Sequence, residues 1–261
     1  MTQIPHHFAQ HLRLWRSRRR FSQLHLAAEA EISQRHLSFL ESGRANPSRE
    51  MVLRLAETLE VPLRDRNQML GAAGFAPVYP DAAEGPGRAE VLRIVERVVE
   101  AHAPHPALAV DRHWTLLVAN KAAMGLMAGV AAHLTEGPVN VLRLSLHPEG
   151  LAPRILNLPD WRAHVLHRLD RQVAATADPV LADLRAELAA LPYRARGPAP
   201  RVPAHGLFVP LVLATPAGPL SFLSTTTLFG TPLDVGLSEI AIEAFLPADA
   251  ATALRPPAPS F

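Results

Sequence analysis

The 261-residue chain contains no cysteine, which excludes disulfides and thiolate metal sites. Hydrophobic residues make up 48% of it, yet no uninterrupted apolar run approaches the roughly 20 residues of a membrane-crossing helix. The opening stretch, MTQIPHHFAQHLRLWRSRRR, also lacks a long apolar core, so it does not read as a secretory signal. A soluble, cytoplasmic protein with no membrane partner is expected. Several chemical signatures are missing too: there is no G-x-S-x-G elbow, no phosphate-binding loop and no dinucleotide fingerprint. Thirteen histidines are present. His7 and His11 sit four apart and His164 and His167 three apart, but neither pair has the cysteine or paired carboxylate that would complete a ligand set. No metal, cofactor or catalytic residue is expected, and the chain is not read as an enzyme.

Lysine is nearly absent, Lys121 being the single one. Arginine is abundant and unevenly spread. Residues 1–80 hold eleven arginines against seven acidic residues, whereas the rest holds fifteen basic against seventeen acidic. The length suggests two domains, and the basic excess marks the first of them as a phosphate-facing surface.

Within that basic region, residues 22–44 (SQLHLAAEAEISQRHLSFLESGR) read as two short helices meeting at a sharp angle. Ser22 and Ser33 are suited to cap them, because a serine oxygen accepts from the free N–H groups of a first helical turn. Leu26, Ala27, Ala30 and Ile32 are small or apolar where the helices must meet. At about 100° per residue, Leu37, Leu40 and Glu41 share the inner face of the second helix. Arg35, Ser38, Phe39 and Ser42 point the other way, with Gln34 at the flank. This is the pattern of a helix-turn-helix, whose second helix enters the DNA major groove.

With the following ESGRANPSREMVLRLAETLEV, this run resembles the lambda-repressor-like, XRE-type helix-turn-helix domains. The likeness spans residues 8–70 and five helices. It implies a structural pair between Arg16 and Glu41, and a backbone-phosphate contact for Gln23 at the start of the second helix. Gln34 and Arg35 are the first choices for base readout, since glutamine pairs bidentately with adenine and arginine with guanine. Ser38 on that outward face, and Ser33 at the helix start on the face of Leu37, Leu40 and Glu41, are also counted among the DNA-binding residues. Phe39 either meets a thymine methyl or packs against a neighbouring helix. Arg44 and Asn46 follow the recognition helix and are expected on phosphates, which fix register without reading sequence. Arg20 and Glu31 stand where these domains often carry glycine. A positive φ at either position would cost about 1 kcal/mol.

The expected organisation is an all-α, five-helix domain over residues 1–75, a Pro/Gly-rich linker over 76–88, a second domain over 89–255 and a tail at 256–261. The second domain opens with a helix at 90–102. Two short strands follow in PALAVDRHWTLLVAN, turning at Asp111-Arg112, and Asn120 caps the helix after them. Helices are expected near 139–146, 158–175 and 179–191, then a proline-rich loop at 192–203. A hairpin over 207–227 and a strand at 239–246 complete an α+β domain with an antiparallel sheet.

The elements VDRHWTLLVAN, NVLRLSLHPEG and FGTPLDVGLSEIAIEAFLPADAAT resemble the MmyB-like regulators. The resemblance implies a PAS-like domain that binds an apolar small molecule, with fatty acid the suggested type. Trp114, His147, Phe208, Phe222 and Phe229 are the candidates to line its pocket or to belong to plain core. The chain is thus expected to be a transcription regulator that binds operator DNA as a homodimer and senses an apolar ligand. Two other readings of the second domain stand beside this one: a protein-docking module, and an enzyme with an autoregulatory DNA reader.

Overall fold

Three serines set where the N-terminal helices begin. The computed structural model describes residues 4–81, 87–192, 208–229 and 234–254. Its first helices are α1 (Ile4–Arg18), α2 (Gln23–Glu29), α3 (Gln34–Ser42), α4 (Arg49–Thr58) and α5 (Leu63–Ala72). Ser22, Ser33 and Ser48 accept from the N–H groups of His25, His36 and Met51, which satisfies first-turn donors of α2, α3 and α4. Gly43 ends α3 at φ 71°, and the Arg44 N–H returns to the Phe39 carbonyl. The apolar stripes of the helices close one core that includes Phe8, Leu12, Trp15, Leu26, Leu37 and Leu55.

Arg20 and Glu31, read above as sites where glycine is common, do adopt positive φ, at 57° and 53°. Glu60 does the same at 47° after α4. There Arg19 donates from Nε and Nη2 to the carbonyls of Leu59 and Glu60, satisfying acceptors that the end of α4 leaves open. Arg19 is therefore committed inside the protein, although it lies in the run of arginines that the sequence assigns to a phosphate-facing surface.

By its contacts the chain divides into two compact units. One comprises Met1–Ala82 with Pro232–Ser238. In it, Asn67 accepts from the N–H groups of Val78 and Tyr79 and donates to the Tyr79 carbonyl. Arg64 pairs with Asp81 at 2.7 Å. The first part of the expected linker is thus held on α5. The Val235 N–H donates to the Pro80 carbonyl. The linker residues 82–86, most of the proline-rich loop and the tail at 256–261 lie outside the described residues.

The other unit carries α6 (Arg88–Glu100), β1 (Ala107–Val110), β2 (Leu116–Ala119), α7 (Lys121–Leu126), α8 (Val141–Leu146), α9 (Leu158–Thr176) and α10 (Pro179–Ala190). β3 (Leu211–Leu213) and β4 (Leu220–Leu228) follow, and after α11 (Val235–Ser238) come β5 (Ala241–Pro247) and α12 (Ala250–Ala253). Five strands form one antiparallel sheet in the order β2-β1-β5-β4-β3. This is the α+β arrangement expected from the sequence. Alternation sorts the side chains, since successive residues of a strand point to opposite faces. Leu108 and Val110 join the core on the α9 side, while α6 packs against β1 and β2.

Two asparagines staple this unit. Asn120 caps α7 by accepting from the Ala123 N–H, as the sequence suggests, and also accepts from Ala107 and donates to the His105 carbonyl. Asn157 accepts from the Val212 N–H and donates to the Pro210 carbonyl, covering the outer edge of β3. That edge also donates from Ala214 to the Arg154 carbonyl, so no open ladder is left there. Among the described residues, no helix is long and apolar enough to cross a membrane.

Candidate functional site

Two surfaces have the geometry of a site, one in each unit. In the N-terminal unit, α3 buries Leu37, Leu40 and Glu41 and turns its other face outward. Ser33, Gln34 and Arg35 are exposed at its start, and Arg44 and Asn46 are exposed just beyond its end. Ser38 and Phe39 are half-buried. The Arg35 guanidinium lies 5.4 Å from the Phe39 ring centroid, a cation–π distance. These residues form one continuous strip along α3 and the turn after it.

Gln23 is set differently. Its amide Nε2 donates to Glu41 Oε2 at 2.8 Å. Glu41 also receives Arg16 through two nitrogens, at 2.5 and 3.0 Å, while Arg16 Nη1 donates to the Phe21 carbonyl. The pair implied by the resemblance is therefore present, and it draws in Gln23. The network ties α1, the entry to α2 and the recognition helix together.

In the second unit, a pocket of about 750 Å³, its open mouth included, lies between α9, α8, α7 and the sheet. Leu108, Leu126, Met127, Leu144, Val165 and Phe245 give it apolar walls. Its polar atoms gather on α9, β4 and β5. Arg168 reaches both oxygens of Glu243, at 2.6 and 3.0 Å, and donates to Thr226 Oγ1 at 2.7 Å. Ser224 donates to Glu243 Oε2. The Arg168 guanidinium also lies over the Trp114 ring, 4.4 Å from its centroid. Glu243 is only 3% exposed, a buried carboxylate whose charge is met inside the fold. Ser145 accepts from the Trp161 indole and keeps its own hydroxyl hydrogen for another partner.

Of the five aromatic and histidine candidates, Trp114 lines this pocket. It holds φ at 68°, a conformation that an L side chain rarely adopts. The Asp111 side chain, accepting from the N–H groups of His113 and Thr115, shapes that turn. Phe222 is buried in the core, Phe208 is exposed and Phe229 is half-buried; none of them is in the pocket wall. His147 is outside it as well. Its Nδ1 accepts from the Glu149 N–H. With His133 and Glu149 it forms a group whose ligand-type atoms lie within 4.8 Å of one another. That surface trio was not visible in the spacing of the histidines.

The sequence reading missed Arg168, Glu243, His164, Ser145 and Ser224. A signal for the first three was available. Trp161, His164 and Arg168 recur at i, i+3 and i+7, which puts polar groups on the buried stripe of α9. Glu243 is an acid inside an otherwise apolar strand, which requires a partner.

His164 stacks on Trp161 with ring centroids 5.4 Å apart. Its pKa is lowered below the ordinary 6.5, chiefly by burial and also by Arg168, with Glu243 acting in the opposite sense. Protonation is therefore harder in the folded chain than in the unfolded one. The penalty is absent above the unfolded pKa and grows as pH falls below it. Acidification from pH 7 toward 5 should destabilise this unit, and His164→Gln should flatten that slope in urea melts. An unchanged slope would rule the contribution out.

Two family models match the chain. The helix-turn-helix domain model matches residues 7–69. The model of the MmyB-like transcription regulator ligand binding domain matches residues 91–255. No match is found among curated proteins. The exposed strip on α3 thus lies in the matched helix-turn-helix, and the pocket lies in the matched ligand-binding domain. The chain belongs to the MmyB-like transcription regulator family, with a DNA-binding helix-turn-helix domain ahead of its ligand-binding domain.

Proposed function

We propose that the chain is a cytoplasmic, homodimeric regulator, not an enzyme, whose PAS-like second domain senses an apolar small molecule of the fatty-acid type and alters operator binding. The pocket carries this reading: its walls are aliphatic and aromatic, and its polar groups converge at one place. Its charged groups are bonded to each other, and among the described residues no nucleophile, base and orienting group stand in a row there, which favours a sensor over catalysis. A docking module would need an exposed apolar patch in place of an internal cavity.

In the reader, Gln34 and Arg35 meet base edges, with Ser33, Ser38 and Phe39 beside them. Arg44 and Asn46 hold phosphates, and Gln23 serves the backbone from its bond with Glu41. Two half-sites suit a dimer, since one recognition helix reads only a few base pairs. Strands β4 and β5 carry Ser224 and Glu243, and the chain between them contributes α11 to the N-terminal unit. That continuity offers a covalent route for coupling ligand occupancy to the reader.

Selection of bound sequences from a random DNA pool tests the reader. Arg35→Ala should lose preference at one base position, a change of about 1–3 kcal/mol. Arg44→Ala should weaken all sequences alike and lower the salt dependence of binding. A uniform loss with Arg35→Ala would overturn the orientation of α3. Native mass spectrometry of the full chain, followed by organic extraction, tests the sensor. A ligand seen in the pocket that left DNA affinity unchanged would sink the coupling.

A further inference from the structure

The charge at the polar end of the pocket is already balanced, and that decides what kind of head group fits it. Arg168 and Glu243 hold each other through two bonds, and Glu243 takes a third from Ser224. A ligand carboxylate entering here would set a second anion beside a buried one, with a single guanidinium to serve both. Like charges sharing a low-dielectric site are strongly disfavoured. Displacing Glu243 from Arg168 would strand a carboxylate that is 3% exposed.

A neutral head group meets neither obstacle. A guanidinium has five N–H donors, and the bonds to Glu243 and Thr226 use three of them. The remaining donors suit a carbonyl or hydroxyl oxygen. The free hydrogen of the Ser145 hydroxyl, which faces the same cavity, suits one too. The Trp114 face fixes the guanidinium plane, so the arginine cannot swing freely toward an added anion.

We propose that Glu243 is a specificity-determining residue, making the pocket select long-chain apolar ligands with an uncharged carbonyl or hydroxyl head, such as esters, amides or alcohols, over free carboxylates. This rests on the sensor reading and narrows its ligand class. The fatty-acid type of chain is retained and the ionised acid is rejected.

The test compares a matched pair, dodecanoate and its methyl ester, on the delipidated full chain near pH 8 by displacement of an environment-sensitive fluorophore. The ester should bind at least about tenfold more tightly, or about 1.4 kcal/mol. Glu243→Gln keeps the shape of the side chain and removes its charge, leaving Arg168 to face the cavity as an unneutralised cation. In that variant the preference should vanish or reverse. Tighter binding of dodecanoate by the unmodified chain overturns the proposal but keeps the sensor reading. An ester-to-acid ratio unchanged in the variant does the same. Binding of neither compound overturns both. If the variant fails to fold, the comparison on the unmodified chain still decides.

Discussion

Glu41→Ala should remove about 3–5 kcal/mol from the N-terminal unit. Small domains are stable by only about 5–15 kcal/mol in total, so the variant should lose a large share of its stability and unfold at a clearly lower denaturant concentration. Glu41 is 2% exposed and takes three bonds, two from Arg16 and one from Gln23. Its loss leaves the Arg16 guanidinium, held also by the Phe21 carbonyl, without its counter-charge. The damage should exceed the value of any exposed pair in the molecule, such as Arg185 with Asp170, which is worth about 0–1 kcal/mol. Denaturant unfolding followed by far-ultraviolet dichroism gives the number. A loss below about 1 kcal/mol would show that the network is not a main tie of this unit. Double replacement of Arg16 and Glu41 by leucine should recover much of the stability, since apolar packing can replace a buried pair. DNA affinity should not return with it, because Gln23 would still lack the carboxylate that orients it at the start of α2.

Arg168→Leu should be the corresponding event in the second unit. It leaves Glu243 buried in the strand with only the Ser224 hydroxyl, and takes the cation from the Trp114 face. A loss of about 3–5 kcal/mol is expected, because the charge left behind, Glu243, is almost fully buried. The Arg168→Leu/Glu243→Leu pair should restore most of that loss. The double-mutant cycle then measures a coupling between the two positions. Additive effects would mean that the ion pair contributes nothing beyond its separate side chains. Because these residues close the polar end of the pocket, the single variant should also lose neutral ligands whose head group takes a hydrogen bond from the guanidinium.

The two units were legible in the sequence to different depths. In the reader, local signals sufficed. Ser22, Ser33 and Ser48 announce helix starts, Gly43 announces an end, and the stripe of Leu37, Leu40 and Glu41 assigns the inner face of α3. These are interactions among residues three or four apart, and their geometry is that of a single helix. Asn120 as a cap and the two hairpins were readable for the same reason. Arg19 was not, because its partners are the carbonyls of Leu59 and Glu60, forty positions away.

The pocket was hidden more thoroughly. Aromatic type suggested Phe208, Phe222, Phe229 and His147, yet aromatic residues serve cores and surfaces as readily as cavities. The lining is assembled from α7, α8, α9 and the sheet, and its polar end joins residues 75 positions apart. The sequence by itself determined the order of elements, the capped helix-turn-helix, the α+β character of the second domain and the exposed strip on α3. Each follows from short-range periodicity and capping. Only the tertiary structure decided that Gln23 joins the Arg16–Glu41 pair, and that Arg168 neutralises Glu243 over Trp114. A buried charge selects its partner by proximity in space, and the chain's order along the backbone carries no record of that distance.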